Sequence, residues 1–197
     1  MKEKSLELAK ESLRIEANDI LSVLDYMDWE AFGKAVDTIA KADRIITTAA
    51  GSSGIAAKKF QHSLCCIEKP CQFMSPAEAV HGGLGCVQKG NVVIMVSRGG
   101  KTVELLPIIN VVKKKGATLI GVTENINSPL GEASDIILPL KIGRESDKYN
   151  VMATTSYVVT VAIFDALLAA VMEETDYQVE QFALIHPGGA VGERLNK

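Results

Sequence analysis

The residues best suited to chemistry lie in the stretch 91–106, NVVIMVSRGGKTVELL. A continuous apolar run of strand length, 92–96, stops at Ser97-Arg98-Gly99-Gly100-Lys101-Thr102, and apolar residues then resume at helical spacing. The pattern predicts a buried parallel strand, a glycine loop and a helix start. Two adjacent glycines let the backbone turn its N–H groups toward a ligand, Ser97 and Thr102 add hydroxyls, and Arg98 and Lys101 add positive charge. An anion, above all a phosphate, suits such a loop; a plain strand-to-helix turn with two solvated basic residues would read the same way. A second glycine loop, Gly51-Ser52-Ser53-Gly54, follows an apolar run at 44–50. In an open α/β sheet two such loops on adjacent strands meet at a topological switch point, where ligands bind. His81, beside Gly82 and Gly83, is either a ligand-facing acid/base or a polar loop residue. Glu145, in the charged loop 143–148, is either a base or part of a solvated charge run.

The elements that must carry these residues follow from periodicity. Helices are predicted over 5–27 and 29–42, with Leu8, Leu13, Ile20, Leu21 and Leu24 recurring every three or four residues. With no strand before them, they form an N-terminal helical arm over about 1–42, laid either on a neighbouring subunit or over the domain's own sheet edge. Strands are predicted at 44–50, 71–74, 92–96, 118–123 and 136–140, with helices over 103–115, 153–174 and 177–184. Strand and helix alternate in units of βαβ length, whose right-handed crossovers place the strands parallel. The expected fold is therefore α/β: a doubly wound, five-stranded parallel sheet with helices on both faces, in one domain spanning 1–197. The segment 153–174 is apolar on nearly all sides, which implies deep burial or a subunit interface. The ending IHPGGAVGERL, with Pro187 after His186 and three glycines close by, suggests a segment folded against something specific.

Composition bounds the rest. With 197 residues, 47% of them hydrophobic, the chain can bury a sizeable core. A net charge of −3 and an aromatic content of 5% argue against a nucleic-acid partner, which would need a basic surface or stacking platforms. No uninterrupted apolar run reaches the ~18 residues of a membrane span, and the charged opening MKEKSLELAKESLRIEAND lacks a signal peptide's apolar core, so a cytoplasmic protein without membrane partners is expected. Cys65, Cys66, Cys71 and Cys86 lack paired C-x-x-C spacing and read as small hydrophobes in a reducing compartment, with no metal.

These pieces, in this order, resemble the sugar isomerase (SIS) domain and, more narrowly, the arabinose-5-phosphate isomerase family. The blocks that carry the resemblance are GSSG, PAEAVHGGLG, VSRGGKTVELLPIINVVKKKGATLIGVTENINSPLGEASDIILPL, the ATTS start of the apolar helix and FALIHPGGAVGERL. Familiar members often carry paired CBS modules after this domain; the 197 residues end before such modules would begin. The resemblance implies an aldose–ketose isomerase of sugar phosphates, most simply D-arabinose 5-phosphate to D-ribulose 5-phosphate through an enediol, with no cofactor. It points to Ser97, Gly99, Gly100 and Thr102 for the phosphate, with Ser52 and Ser53 of the first loop, and to His186, Glu145, Glu104 and His81 as the catalytic set. Moving a proton between C1 and C2 needs a base near neutrality, a shuttle for the hydroxyl proton and donors for the developing oxyanion. A histidine, with an unperturbed pKa of ~6.5, suits either proton role. His186 is the leading acid/base, partnered by Glu145 or Glu104, with His81 near the sugar hydroxyls. Related proteins gather one site from more than one subunit, which implies a homodimer or homotetramer whose terminal histidine segment completes a neighbour's site.

Two departures stand out. The family's first loop usually reads G-K-S-G, and Ser52 replaces that lysine; the central loop usually has a serine where this chain has Gly99. Arg98 and Lys101 either restore charge for the phosphate or point into solvent. Two alternatives follow: a sugar-phosphate sensor without turnover, and a different isomerase of the same architecture, such as one acting on a 3-hexulose 6-phosphate.

Overall fold

The computed structural model of the chain describes residues 2–195. Five parallel strands, β1 (Ile45–Ala49), β2 (Cys71–Phe73), β3 (Val92–Val96), β4 (Thr118–Thr123) and β5 (Ile136–Pro139), form one sheet in the order β2-β1-β3-β4-β5. From β1 the chain crosses outward to β2, and from β3 outward the other way to β4, so the switch point lies between the C-terminal ends of β1 and β3. Every residue of β3 is buried, as the centre of a doubly covered parallel sheet requires. Alternation along the strand divides the core in two. Val92, Ile94 and Val96 face one cluster, Val93 and Met95 the other.

The first cluster is covered by α2 (Trp29–Lys41), α3 (Gly51–Cys66) and α7 (Thr155–Glu174), with Phe60 of α3 stacked on Phe164 of α7 at 4.3 Å between centroids. The second is covered by α5 (Leu106–Lys115) and α6 (Pro129–Ala133), together with the short α4 (Pro76–Ala79) and the 3₁₀ turn Gly83–Cys86. By length and composition α7 could cross a membrane. Its apolar surface is instead packed against α1 (Glu3–Tyr26), α2 and α3, and its Asp165 is paired with Lys59 of α3.

The N-terminal arm divides in two. Helix α2, N-capped by Asp28, whose carboxylate accepts hydrogen bonds from the Glu30 and Ala31 amides at 3.1 and 2.9 Å, buries Phe32, Ala35, Val36 and Ile39 against the chain's own sheet. Helix α1 buries no residue fully; it lies along α7 and leaves Leu13, Leu21 and Leu24 more than 60% exposed. Most bounds fall within two residues of expectation; one helix start and one added helix differ by more. Helix α5 starts at Leu106 rather than at 103, because a helix from 103 would need the Pro107 nitrogen to donate to the Val103 carbonyl, and proline has no N–H. Starting at Leu106 puts Pro107 in the first turn, where no donor is required. At the C-terminus, α8 (Val179–Ile185) is followed by α9 (Gly189–Leu195), a helix not anticipated from so glycine-rich a segment; α9 packs on α8.

Candidate active site

The central loop is a turn held from several sides. At its base the Ser97 amide donates to the Val122 carbonyl at 3.1 Å, and the Gly100 amide closes back on both the carbonyl and the hydroxyl of Ser97 at 3.0 and 3.1 Å. Ser97 Oγ also sits 2.8 Å from Thr102 Oγ1. Gly100 has φ +70°, and a Cβ there would overlap the Ser128 side chain, so only glycine fits. Gly99 has nothing within 4 Å of an added Cβ. A second turn, closed by the Leu105 amide on the Thr102 carbonyl at 3.0 Å, separates the loop from α5. Between these closures the amides of Gly99, Lys101, Thr102 and Val103 have no acceptor among the described residues. Successive free N–H groups on a turn form a concavity that suits an anion.

The first glycine loop is the opening turn of α3 itself. Gly51 turns the chain with φ +57°, and Gly54 lets the helix approach β1 so closely that an added Cβ would lie 2.8 Å from the Ala49 carbonyl oxygen. No side chain caps α3, so the amides of its first turn also point out at the C-terminal edge of the sheet. Between this turn, the end of β2, the start of α4 and Glu104 lies a cleft of about 310 Å³, lined by Gly51, Gly54, Lys58, Phe73, Ser75 and Glu104 among others. It sits beside the switch point. Glu104 is exposed into it, two residues beyond Thr102.

Glu145 has different surroundings. It is 3% exposed, and its carboxylate accepts from the Thr154 and Ser156 amides at 2.9 and 3.1 Å, from the hydroxyls of Ser156 at 2.5 Å and Thr154 at 3.2 Å, and from Arg98 Nη1 at 2.8 Å. Two of those amides belong to the start of α7, so Glu145 caps that 20-residue helix from a distance, where the aligned peptide dipoles favour negative charge. Burial works to raise its pKa; the hydrogen bonds from Ser156 and Thr154 and the Arg98 charge outweigh burial and hold the carboxyl below the usual glutamate value. The geometry is that of an ionised clamp. Arg98 is committed on its other side to Glu124, at 2.7 Å, so it braces the loops after β3, β4 and β5 instead of reaching for a ligand. Lys101 is exposed.

His81 is exposed in the turn after α4, its amide bonded to the Glu78 carbonyl at 3.1 Å. His186 lies elsewhere. It follows α8, stacks on Phe182 at 3.7 Å between ring centroids, and shares a cavity of about 290 Å³ with His62, Cys65, Cys66 and Glu68 at the far end of α3. The dozen residues of α3 from Gly54 to Cys66 put it roughly 18 Å of helix rise from the glycine turn. Its Nδ1 is 3.0 Å from the Phe182 carbonyl, which can only accept, so Nδ1 carries a proton and a neutral ring leaves Nε2 free as a base. One chain thus brings Ser97, Gly99, Gly100, Thr102, Ser52, Ser53 and Glu104 to one edge, with Glu145 bracing it from behind, and leaves His186 at the opposite end.

Nothing in the sequence singles out Lys58, since lysine in a helix is ordinary. Glu124 was equally silent. Among the described residues no cluster of three or more His, Cys, Asp or Glu side chains has metal-binding geometry.

Comparison with known proteins places the chain. Residues 38–170, which include the whole sheet and both glycine turns, match the model of the SIS domain. Over 188 residues the chain is 35% identical to arabinose 5-phosphate isomerase KdsD of Pseudomonas aeruginosa, a match covering 95% of this chain and 57% of that protein. It therefore spans little more than half the length of this curated relative. Among solved structures, a candidate sugar-phosphate isomerase from Listeria monocytogenes superposes with a TM-score of 0.92 at 42% identity, covering 95% of this chain and all of that one. An Escherichia coli CFT073 protein, solved in complex with arabinose 5-phosphate, superposes with a TM-score of 0.87 at 28% identity and the same coverage. The chain belongs to the SIS domain family.

Proposed function

We propose that the protein is a sugar-phosphate aldose–ketose isomerase, interconverting D-arabinose 5-phosphate and D-ribulose 5-phosphate. The observation that carries this reading is the set of unpaired amides at Gly99, Lys101, Thr102 and Val103, opening beside a cleft that holds Glu104. Those amides, with Ser97, Thr102, Ser52 and Ser53, hold the phosphate; the open-chain sugar lies in the cleft. The relatives named arabinose 5-phosphate isomerase, and the neighbour solved with arabinose 5-phosphate, support the choice of sugar.

Glu104 takes the C2 proton of the aldose; the C–H electron pair becomes the C1=C2 bond and the carbonyl pair moves to O1. His186 of a neighbouring subunit then moves the hydroxyl proton from O2 to O1, and as the O2 pair forms the C2 carbonyl the C1=C2 pair takes the proton back from Glu104 at C1, which leaves the ketone at C2 and Glu104 ionised again. Glu145 positions the loop, and His81 contacts the sugar hydroxyls. His186 stands too far from the cleft of its own chain to act there, and exposed Leu13, Leu21 and Leu24 on α1 offer an apolar surface for association. A homodimer or homotetramer with shared sites satisfies both facts. Ser52, uncharged, and Gly99, without a hydroxyl, favour the second reading, a sensor that binds the sugar phosphate without turnover.

Exchange of the substrate C2 proton in D2O, followed by NMR on D-arabinose 5-phosphate, separates the two. Exchange establishes enediol chemistry. Binding by calorimetry without exchange would leave the sensor.

A further inference from the structure

The geometry points to Lys58 as the electrophile of this site: the cation that meets the substrate oxygen on which negative charge develops. The inference rests on the isomerase reading and adds to it a residue that neither the glycine loops nor the histidine segment supplies.

Position comes first. On α3, Gly51, Gly54, Ile55 and Lys58 follow one another at helical spacing, and all four line the cleft. Helical side chains lean toward the N-terminus, so the four-carbon stem of Lys58 rises along this face toward the opening turn of its helix. Its Nζ stands 4.9 Å from the centroid of the Phe73 ring, on the end of β2. An aromatic face holds an ammonium by its quadrupole without neutralising it.

Charge comes second. Lys58 is the one cation among the described residues lining the cleft, and among the described residues no carboxylate lies within ion-pair distance of it. The other cations of α3 and the central loop are already committed or set apart: Lys59 is paired with Asp165, Arg98 is held between Glu124 and Glu145, and Lys101 sits on the anion-binding loop outside the cleft lining. Ser52 brings no charge. Glu104, the carboxylate of the same lining, forms no ion pair with Lys58. A base and an unpaired ammonium on one small cleft are what enolisation requires. As Glu104 removes the C2 proton, the electron pair passes through the forming C1=C2 bond to O1, and the ammonium meets the resulting oxyanion; on completion the charge returns to carbon with the proton, and Lys58 is unchanged.

A cation at the phosphate end would strengthen binding; one at the carbonyl end strengthens only the transition state. The experiment uses Lys58→Met, which keeps the length and removes the charge, and Lys58→Ala with added ethylammonium. C2-proton exchange of D-arabinose 5-phosphate is measured for each, with the inhibition constant of inorganic phosphate. Expected is a loss of exchange of about 100-fold or more in Lys58→Met, as for removal of an oxyanion donor, phosphate inhibition within about 3-fold of the unmutated protein, and exchange partly recovered in Lys58→Ala by ethylammonium. Exchange at the original rate in Lys58→Met overturns the inference and leaves the isomerase reading intact. A phosphate inhibition constant that rises in step with the lost activity also overturns it, because Lys58 would then hold the phosphate. Absence of exchange in the unmutated protein overturns both.

Discussion

Replacing Glu145 by glutamine tests whether this buried carboxylate is a clamp or a base. The amide keeps one oxygen, enough for the Thr154 and Ser156 amides, but turns an NH2 group toward Arg98, so donor faces donor. One charge-assisted hydrogen bond is lost, worth ~1.5–3 kcal/mol, and the negative charge at the start of α7 disappears, worth ~0.3–1 kcal/mol. The Arg98 side chain is 41% exposed, so solvent screens its share and the ion pair itself adds little. A loss of about 2–4 kcal/mol, or roughly 4–16 °C in Tm at 2–4 °C per kcal/mol for a chain of this size, is expected by thermal circular dichroism at pH 7. Because the folded-state pKa is depressed, Glu145 contributes its stability above the unfolded glutamate pKa of ~4.3 and loses it as pH falls through the lower folded value. The gap in Tm between Glu145→Gln and the unmutated protein should therefore narrow below about pH 4. If Glu145 is the clamp we propose, positioning the loop without touching substrate, C2-proton exchange should survive at a tenth or more of its rate, whereas removal of a general base costs ~10²–10⁴-fold. A Tm within about 1 °C of the original, or exchange lost by three orders of magnitude, would refute the clamp.

The two central-loop glycines should behave oppositely. Gly100→Ala forces a side chain into φ +70° and against Ser128, and should cost ~2 kcal/mol or more with loss of phosphate binding, whereas Gly99→Ser meets open space and should tighten inorganic phosphate binding with stability unchanged within ~0.5 kcal/mol, both read by calorimetry and urea unfolding. His186→Ala should lose most of kcat while KM is kept; near-normal turnover removes it from the proton path. Light scattering should give a dimer or tetramer at micromolar concentration, and a stable monomer sinks the shared site.

Legibility in the sequence followed the range of the interaction concerned. The strands were readable because each is a short apolar run bounded by turn residues, and β3 and β4 fall where alternation and glycine punctuation place them. The start of α5 was misplaced by three residues because the period of 103–106 is helical while the constraint that ends it, the missing N–H of Pro107, acts four residues back. At the site, the central loop could be seen because its signal is local: two glycines and two hydroxyls in six residues. Glu145 could be noticed but not understood, since its partners Arg98 and Ser156 lie 47 and 11 residues away and reverse the meaning of its charge. Basic residues flanking the glycines suggested phosphate ligands, yet Arg98 is spent on two carboxylates that only the topology brings to it. Lys58 was invisible for the opposite reason: its surroundings, Phe73 and Glu104, come from two other elements.

The loop that Glu145 braces is also tied to α1. Ser146 Oγ accepts from Ser12 Oγ at 2.8 Å and donates to Glu16 at 2.9 Å, the Gly143 amide donates to Asp19 at 2.8 Å, and the Lys141 amide donates to Tyr26 at 3.2 Å. From the unpaired amides of the central loop, through Arg98 and Glu145, to the long outer helix, the contacts are continuous. Two events at the ends of such a chain are thermodynamically linked when both bias the same loop arrangement, and the linkage is reciprocal. Occupation of the central loop by an anion should then alter the affinity of whatever packs on the exposed leucines of α1, and packing there should alter anion affinity by the same factor. On the proposed function, assembly and substrate capture would then be two readings of one equilibrium.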